Sequence, residues 1–207
     1  MHAFWLLTQI PLAARQPDFA RALRNLGLEI GEQPSVIDIA RGFSDAVDGR
    51  VRNVRRRTDF GEMAQMCGAE ALCAVAGRNL NQLFGTSPQD VRTAFAGLTT
   101  VKQFSILSMD FFARLTRRVL GYFLSRELPN HVGASSRFHT IREHQAFEQA
   151  LDVHCRETAR IVGDFSGEWY SKTNYESGIE AKQAGNFARV AFDKIKRELQ
   201  HRRDVYA

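Results

Sequence analysis

Val101–Leu128, which reads VKQFSILSMDFFARLTRRVLGYFLSREL, decides the fold class. Its apolar residues Phe104, Leu107, Phe111, Leu115, Val119 and Phe123 return every three or four positions, the period of a helix with one face in a core. Pro129 stops it, because proline lacks the backbone N–H and bars the preceding residue from helical geometry. The adjacent pairs Phe111-Phe112 and Tyr122-Phe123 make this helix apolar over more than one face. A helix of that kind is either central to a bundle or covered by a partner. These four residues are therefore the expected oligomer interface.

The same period extends toward the N-terminus. Ser87-Pro88 with Asp90 signals the start of a short helix carrying Val91, Phe95 and Leu98. Asp59 and Glu62, spaced as an N-cap and its third helical position, precede a stripe of Met63, Cys67, Ala71, Ala74 and Val75 that runs to about Phe84. Ser35 can cap a helix through Val36, Ile39, Phe43, Val47, Val51 and Val54, which Gly42 and Gly49 weaken by roughly 1 kcal/mol each. Pro17 opens a helix through Phe19, Ala22, Leu23 and Leu26, and Gly27 stops it. The apolar first ten residues read as a buried first element, and only there is any β-type alternation visible. They lack the basic flank of a signal peptide.

Toward the C-terminus, Pro129–Ser136 combines a helix breaker, a glycine and small polar residues. It is the expected boundary between 1–130, with the basic helix, and 137–207, which packs on it to form one compact domain. Thr140 with Glu143 has capping-box spacing before a stripe of His144, Phe147, Leu151, Cys155, Thr158 and Phe165. After an interruption at 175–178, Ser177 with Glu180 repeats that spacing before Phe187, Val190, Ala191, Ile195 and Leu199. The fold class is all-α, a helical bundle of about seven helices in one or two packed halves.

Composition bounds the function. With 44% hydrophobic and 25% charged residues the chain can bury a core, so disorder is not expected. Its apolar runs are broken well before the roughly 20 residues that a bilayer demands. Cys67, Cys73 and Cys155 are too few and too odd for a disulfide framework, which fits a reducing cytoplasm. The net charge of +5, with 23 Arg against 5 Lys, favours polyanions and acidic proteins as partners.

The densest charge lies in Arg50-Val-Arg-Asn-Val-Arg-Arg-Arg57. On a helix Val51 and Val54 turn inward while Arg50, Arg52, Arg55, Arg56 and Arg57 spread over the outer arc, a surface able to track phosphates or an acidic protein. The same cations also complement the helix dipole without any ligand. No aromatic residues interleave them, so base stacking is unsupported. His131, His139, His144 and His154 crowd into one stretch with Cys155, yet none of the four lies in a His-Glu-x-x-His or Glu-x-x-His spacing, and neither metal nor cofactor is expected. Asp164, Glu168 and Lys172 sit among aromatics without the strands a nuclease core uses to hold such groups. Asp59-Phe60-Gly61 copies a kinase magnesium motif with none of its companions, and no P-loop or nucleophile elbow is present.

Two Arg-to-His spacings resemble those of the HEPN ribonucleases, all-α enzymes in which an Arg and a His cooperate at a dimer interface. Arg137 and His144 have six intervening residues, and Arg126 and His131 have four. The resemblance covers those residues alone, and it implies metal-independent cleavage of RNA. Pro129 breaks the helix that would carry the second pair. The reading from sequence is a non-enzymatic binding or scaffold protein, working in a homo- or hetero-oligomeric assembly and docking nucleic acid or an acidic protein through its arginine-rich face. A HEPN-like ribonuclease is the first alternative and a purely structural subunit the second.

Overall fold

From His2 to Ala14 not one side chain is exposed. This segment is helix α1 (His2–Ala13), and the rest of the chain packs around it in a computed structural model that describes residues 2–53, 58–78, 80, 87–127 and 141–206. The described residues form eight helices and no strand. After α1 come α2 (Phe19–Asn25), α3 (Val36–Asn53), α4 (Asp59–Arg78), α5 (Pro88–Gly97), α6 (Val101–Glu127), α7 (Ile141–Glu176) and α8 (Ala181–Tyr206). The all-α bundle expected from periodicity is the fold, with α1 as the helix added to the count. Most of α1 is buried, and its one partly covered face, His2, Trp5, Gln9 and Leu12, mixes apolar and polar residues, so it lacks the amphipathic signature by which the other helices announce themselves.

The polar groups of α1 are satisfied from the turn between α7 and α8. Trp5 Nε1 and Gln9 Nε2 both donate to the Ile179 carbonyl, at 3.1 and 3.0 Å, and the buried Tyr170 hydroxyl donates to the Thr8 carbonyl at 3.2 Å. Thr8 itself donates back to the Trp5 carbonyl. The Phe4 ring lies against Phe111 and Phe112 of α6 and stacks on Phe187 of α8 at 5.2 Å, while Phe104 stacks on Tyr170 at 3.8 Å. One continuous core therefore runs from Ala3 to Ile195.

The helix starts follow the expected cap chemistry with shifts of one to a few residues. Ser87 and Asp90 form a full capping box, and Ser35 with Asp38 makes the same reciprocal bonds. At α4 the cap is Thr58 rather than Asp59, its hydroxyl accepting from the Gly61 N–H. At α2 Asp18 takes the role, accepting from the Arg21 N–H, and leaves Pro17 outside the helix. For α8 the pair is Glu180 with Gln183, not Ser177 with Glu180, because Gly178 at φ +75° turns the chain first. Gly27 ends α2 at φ +88°, as its sequence position implies. The Thr140 cap and the 129–136 boundary lie outside the described residues.

Helices α6 and α7 run antiparallel, with Arg117 opposite Glu148 at one end and Val101 opposite Gly167 at the other. A Cβ at Gly167 would collide with the Val101 carbonyl and the Ser105 side chain, so glycine sets how closely these helices approach. Gly68 likewise admits the Phe43 ring between α3 and α4. Substituting Gly167→Ala should lower the unfolding free energy by roughly 1–3 kcal/mol through overpacking. Gly49→Ala, where an added methyl meets nothing, should raise it by about 0.4–1 kcal/mol. Urea unfolding of the two variants checks both signs.

A candidate binding groove lined with arginine

Close packing of α4 and α7 on either side of α6 leaves a groove of about 640 Å³ above the outward face of α6. Ile106, Met109 and Ala113, three and four residues apart and so on one side of α6, make its floor, and the exposed Val153 of α7 borders them. The α4 wall carries Arg78 with Arg114 and Arg118 beside it, and the α7 wall carries Arg156 and Arg160, with Arg117 between the helices. Six arginines thus meet four lining carboxylates, Glu70, Asp110, Asp152 and Glu157.

Most of these guanidinium groups are anchored along one edge. Arg114 donates to Asp110 at 2.5 Å and to Glu70 at 3.2 Å, and Arg118 reaches the other Glu70 oxygen at 2.6 Å. Arg117 pairs with Glu148, and Arg156 with Asp152 at 2.9 Å. Arg78 donates to the Ala74 carbonyl and lies 3.7 Å from Asp110. A guanidinium offers five N–H donors, so a carboxylate on one edge orients the group and leaves donors to spare. Arg160 makes no ion pair among the described residues. Beneath the groove Arg118 also approaches the buried Cys67 Sγ at 3.5 Å, but burial outweighs that cation and pushes the thiol up to about 11. Burial does the same at Cys155, so neither is a thiolate at neutral pH.

The residues expected from sequence do not line this groove, and several lie outside the described residues. Arg50 is exposed near the end of α3, where its charge is felt by His2 at the start of α1, away from the groove. Arg52 belongs to the same helix, and Arg55, Arg56 and Arg57 lie outside the described residues. Arg126 stacks over the Tyr122 ring at 4.5 Å, while the Tyr122 hydroxyl donates to Asp59. His144 is half-buried near the start of α7, and Arg137 and His131 lie outside the described residues. One member of each expected Arg–His pair therefore lies outside the described residues. Phe111 and Phe112 are fully buried against Phe4, which removes them from any interface because the chain's own helices cover them. Phe123 is 60% exposed and stays open. Asp164, Glu168 and Lys172 form an exposed stripe on α7, with Lys172 near Glu176. Among the described residues no group of three His, Cys, Asp or Glu could hold a metal ion, and no helix is long and apolar enough to cross a membrane.

The chain matches no family model, no curated protein and no solved structure.

His2 responds to the basic end of α3. Burial and then the Arg50 charge lower its pKa from 6.5 to about 4, and its ring stacks on Trp5. The fold therefore favours neutral imidazole, and this contribution to stability is complete above pH 6.5, declines as the unfolded chain takes up its proton, and is gone near pH 4. Between pH 7 and 5 the urea midpoint should fall more in wild type than in His2→Gln.

Proposed function

We propose that this chain is a non-enzymatic helical binding protein that docks an acidic, amphipathic segment of a partner protein in the groove over α6. The observation that carries the reading is the pairing of an apolar floor with arginine walls. From Ile106 to Arg117 the floor is about 16 Å long at 1.5 Å per residue, enough for about three turns of helix. A helix laid there can bury its apolar stripe on Ile106, Met109 and Ala113 while carboxylates on its flanks meet Arg156 and Arg160 on one side and Arg78 on the other. The anchored guanidinium groups lose little freedom on binding, which favours affinity.

Nucleic acid fits this groove less well. No aromatic side chain lines it, so bases have no platform to stack on. The overall charge of +5 steers any acidic partner toward the protein.

A labelled synthetic helix with leucine on one face and glutamate on its flanks should bind in fluorescence anisotropy and weaken as salt is raised. Its lysine counterpart should not bind. The double reversal Arg156→Glu with Arg160→Glu, both on exposed positions, should weaken binding tenfold or more with the fold intact. Binding of RNA or duplex DNA that exceeds peptide binding and depends on the same arginines would replace the protein partner with nucleic acid. RNA cleavage lost on His144→Ala would overturn the non-enzymatic reading.

A further inference from the structure

Charge in the arginine groove is not neutralised evenly along its length. Toward the Arg117 end each guanidinium is held close to a carboxylate: Arg118 by Glu70 at 2.6 Å, Arg114 by Asp110 at 2.5 Å, Arg156 by Asp152 at 2.9 Å, and Arg117 by Glu148. Toward the Ile106 end two are not. Among the described residues, Arg78 on the α4 wall comes no nearer to a carboxylate than the 3.7 Å to Asp110, whose other oxygen is taken by Arg114. Arg160 on the α7 wall makes no ion pair among the described residues. The two stand at one level, because Arg78 reaches Asp110 directly while Gly163, one turn past Arg160, backs onto Met109 in the antiparallel α6–α7 pair. Both side chains line the groove, on opposite sides of its apolar floor.

Just beyond this level the balance of charge reverses. Asp164 and Glu168 continue the α7 stripe one and two turns past Arg160, both exposed, against the single cation Lys102 on the Ile106 side of α6. An acidic segment running on past Ile106 would bring its carboxylates against these like charges, whereas one that ends between Arg78 and Arg160 leaves them to water. The end that fits is the C-terminal one. A helix C-terminus carries the negative pole of the macrodipole, and a chain end adds an α-carboxylate that can accept from two guanidinium groups at once. An N-terminus would place its positive pole and its ammonium against two arginines.

We propose that the arginine groove binds the C-terminal segment of a partner protein, with the terminal carboxylate held between Arg78 and Arg160. This rests on the reading of the groove as a dock for an acidic amphipathic helix, and it adds the end and the direction of that helix. The helix runs from the Arg117 end toward Ile106, its flanking carboxylates sharing the spare donors of Arg114, Arg118 and Arg156.

The test compares two N-terminally labelled peptides of the same leucine-and-glutamate helix by fluorescence anisotropy on the full chain, one ending in a free carboxylate and one in an amide. The free acid should bind about tenfold tighter, the scale of a charge-assisted contact. The double variant Arg78→Gln with Arg160→Gln, both at exposed positions, should remove that difference, whereas Arg156→Gln should weaken both peptides alike and keep it. Equal binding of acid and amide by the wild-type chain, or a preference that survives the double variant, would overturn the terminal-carboxylate proposal and leave the acidic-helix reading standing. Binding of neither peptide would overturn both. A nitroxide at the peptide's N-terminus should broaden the amide resonance of Val153 more strongly than that of Gly163, and the reverse pattern would overturn the direction.

Discussion

Covering α1 is the constraint on which the rest of the molecule depends. A twelve-residue helix with no exposed side chain cannot stand at the surface, and every other helix is arranged to hide it. Phe4 is the focus, with five aromatic partners drawn from α6, α7 and α8. Burying one such ring is worth about 1.5–3 kcal/mol by area alone, and geometrically favoured ring pairs add to it. The polar groups of α1 must be paired as well, which is why the α7–α8 turn is tied to Trp5 and Gln9 through a single carbonyl. Those two bonds connect residues more than 160 positions apart and hold the chain's two ends in one core.

Once α1 is enclosed, the spacing of the outer helices follows from where side chains are absent. Gly167 lets α7 approach the Val101 carbonyl, and Gly68 lets α4 accept the Phe43 ring. Both contacts draw neighbouring helices together. The arginine groove lies over the α4–α6–α7 surface, with the small Ala113 in its floor. Its charges are then ordered by carboxylates one turn away, Asp110 for Arg114 and Asp152 for Arg156, and by Glu70 reaching across from α4. Exposed pairs of this kind add little stability, so orientation of the guanidinium groups is their main consequence.

Much of the architecture was legible because amphipathic helices carry their own period and caps. Val101–Leu128 announces α6 to within a residue, and the Ser87 capping box and the Gly27 stop stand where the letters place them. Helix α1 was legible as buried but not as helical, since a segment whose one partly covered face mixes apolar and polar residues shows no clear periodicity. The groove was not legible at all. Its arginines come from three helices, with Arg78 and Arg160 more than 80 positions apart, and the local hints are the Asp110–Arg114 and Asp152–Arg156 spacings. The contiguous run at Arg50–Arg57 is dense in sequence, and Arg55, Arg56 and Arg57 lie outside the described residues.

The double apolarity of α6 has a structural reason that its pairs of adjacent rings encode. Residues 100° apart around a helix cannot share a face, so Phe111 and Phe112 are directed into two different contacts. Phe111 belongs with Phe104 and Leu107 on the side that meets α1, whereas Phe112, which also touches Phe4, turns toward Phe187 and Phe192 of α8. Following that second side up the helix leads through Thr116, Val119 and Leu120 into an open apolar groove beside α8 and ends at the exposed Phe123. The third side, Ile106, Met109 and Ala113, floors the arginine groove. One helix therefore supplies the wall of the core and the floor of both surface recesses. Its apolar excess is covered by other helices from Phe104 to Leu115, and from Val119 onward it is left partly open among the described residues.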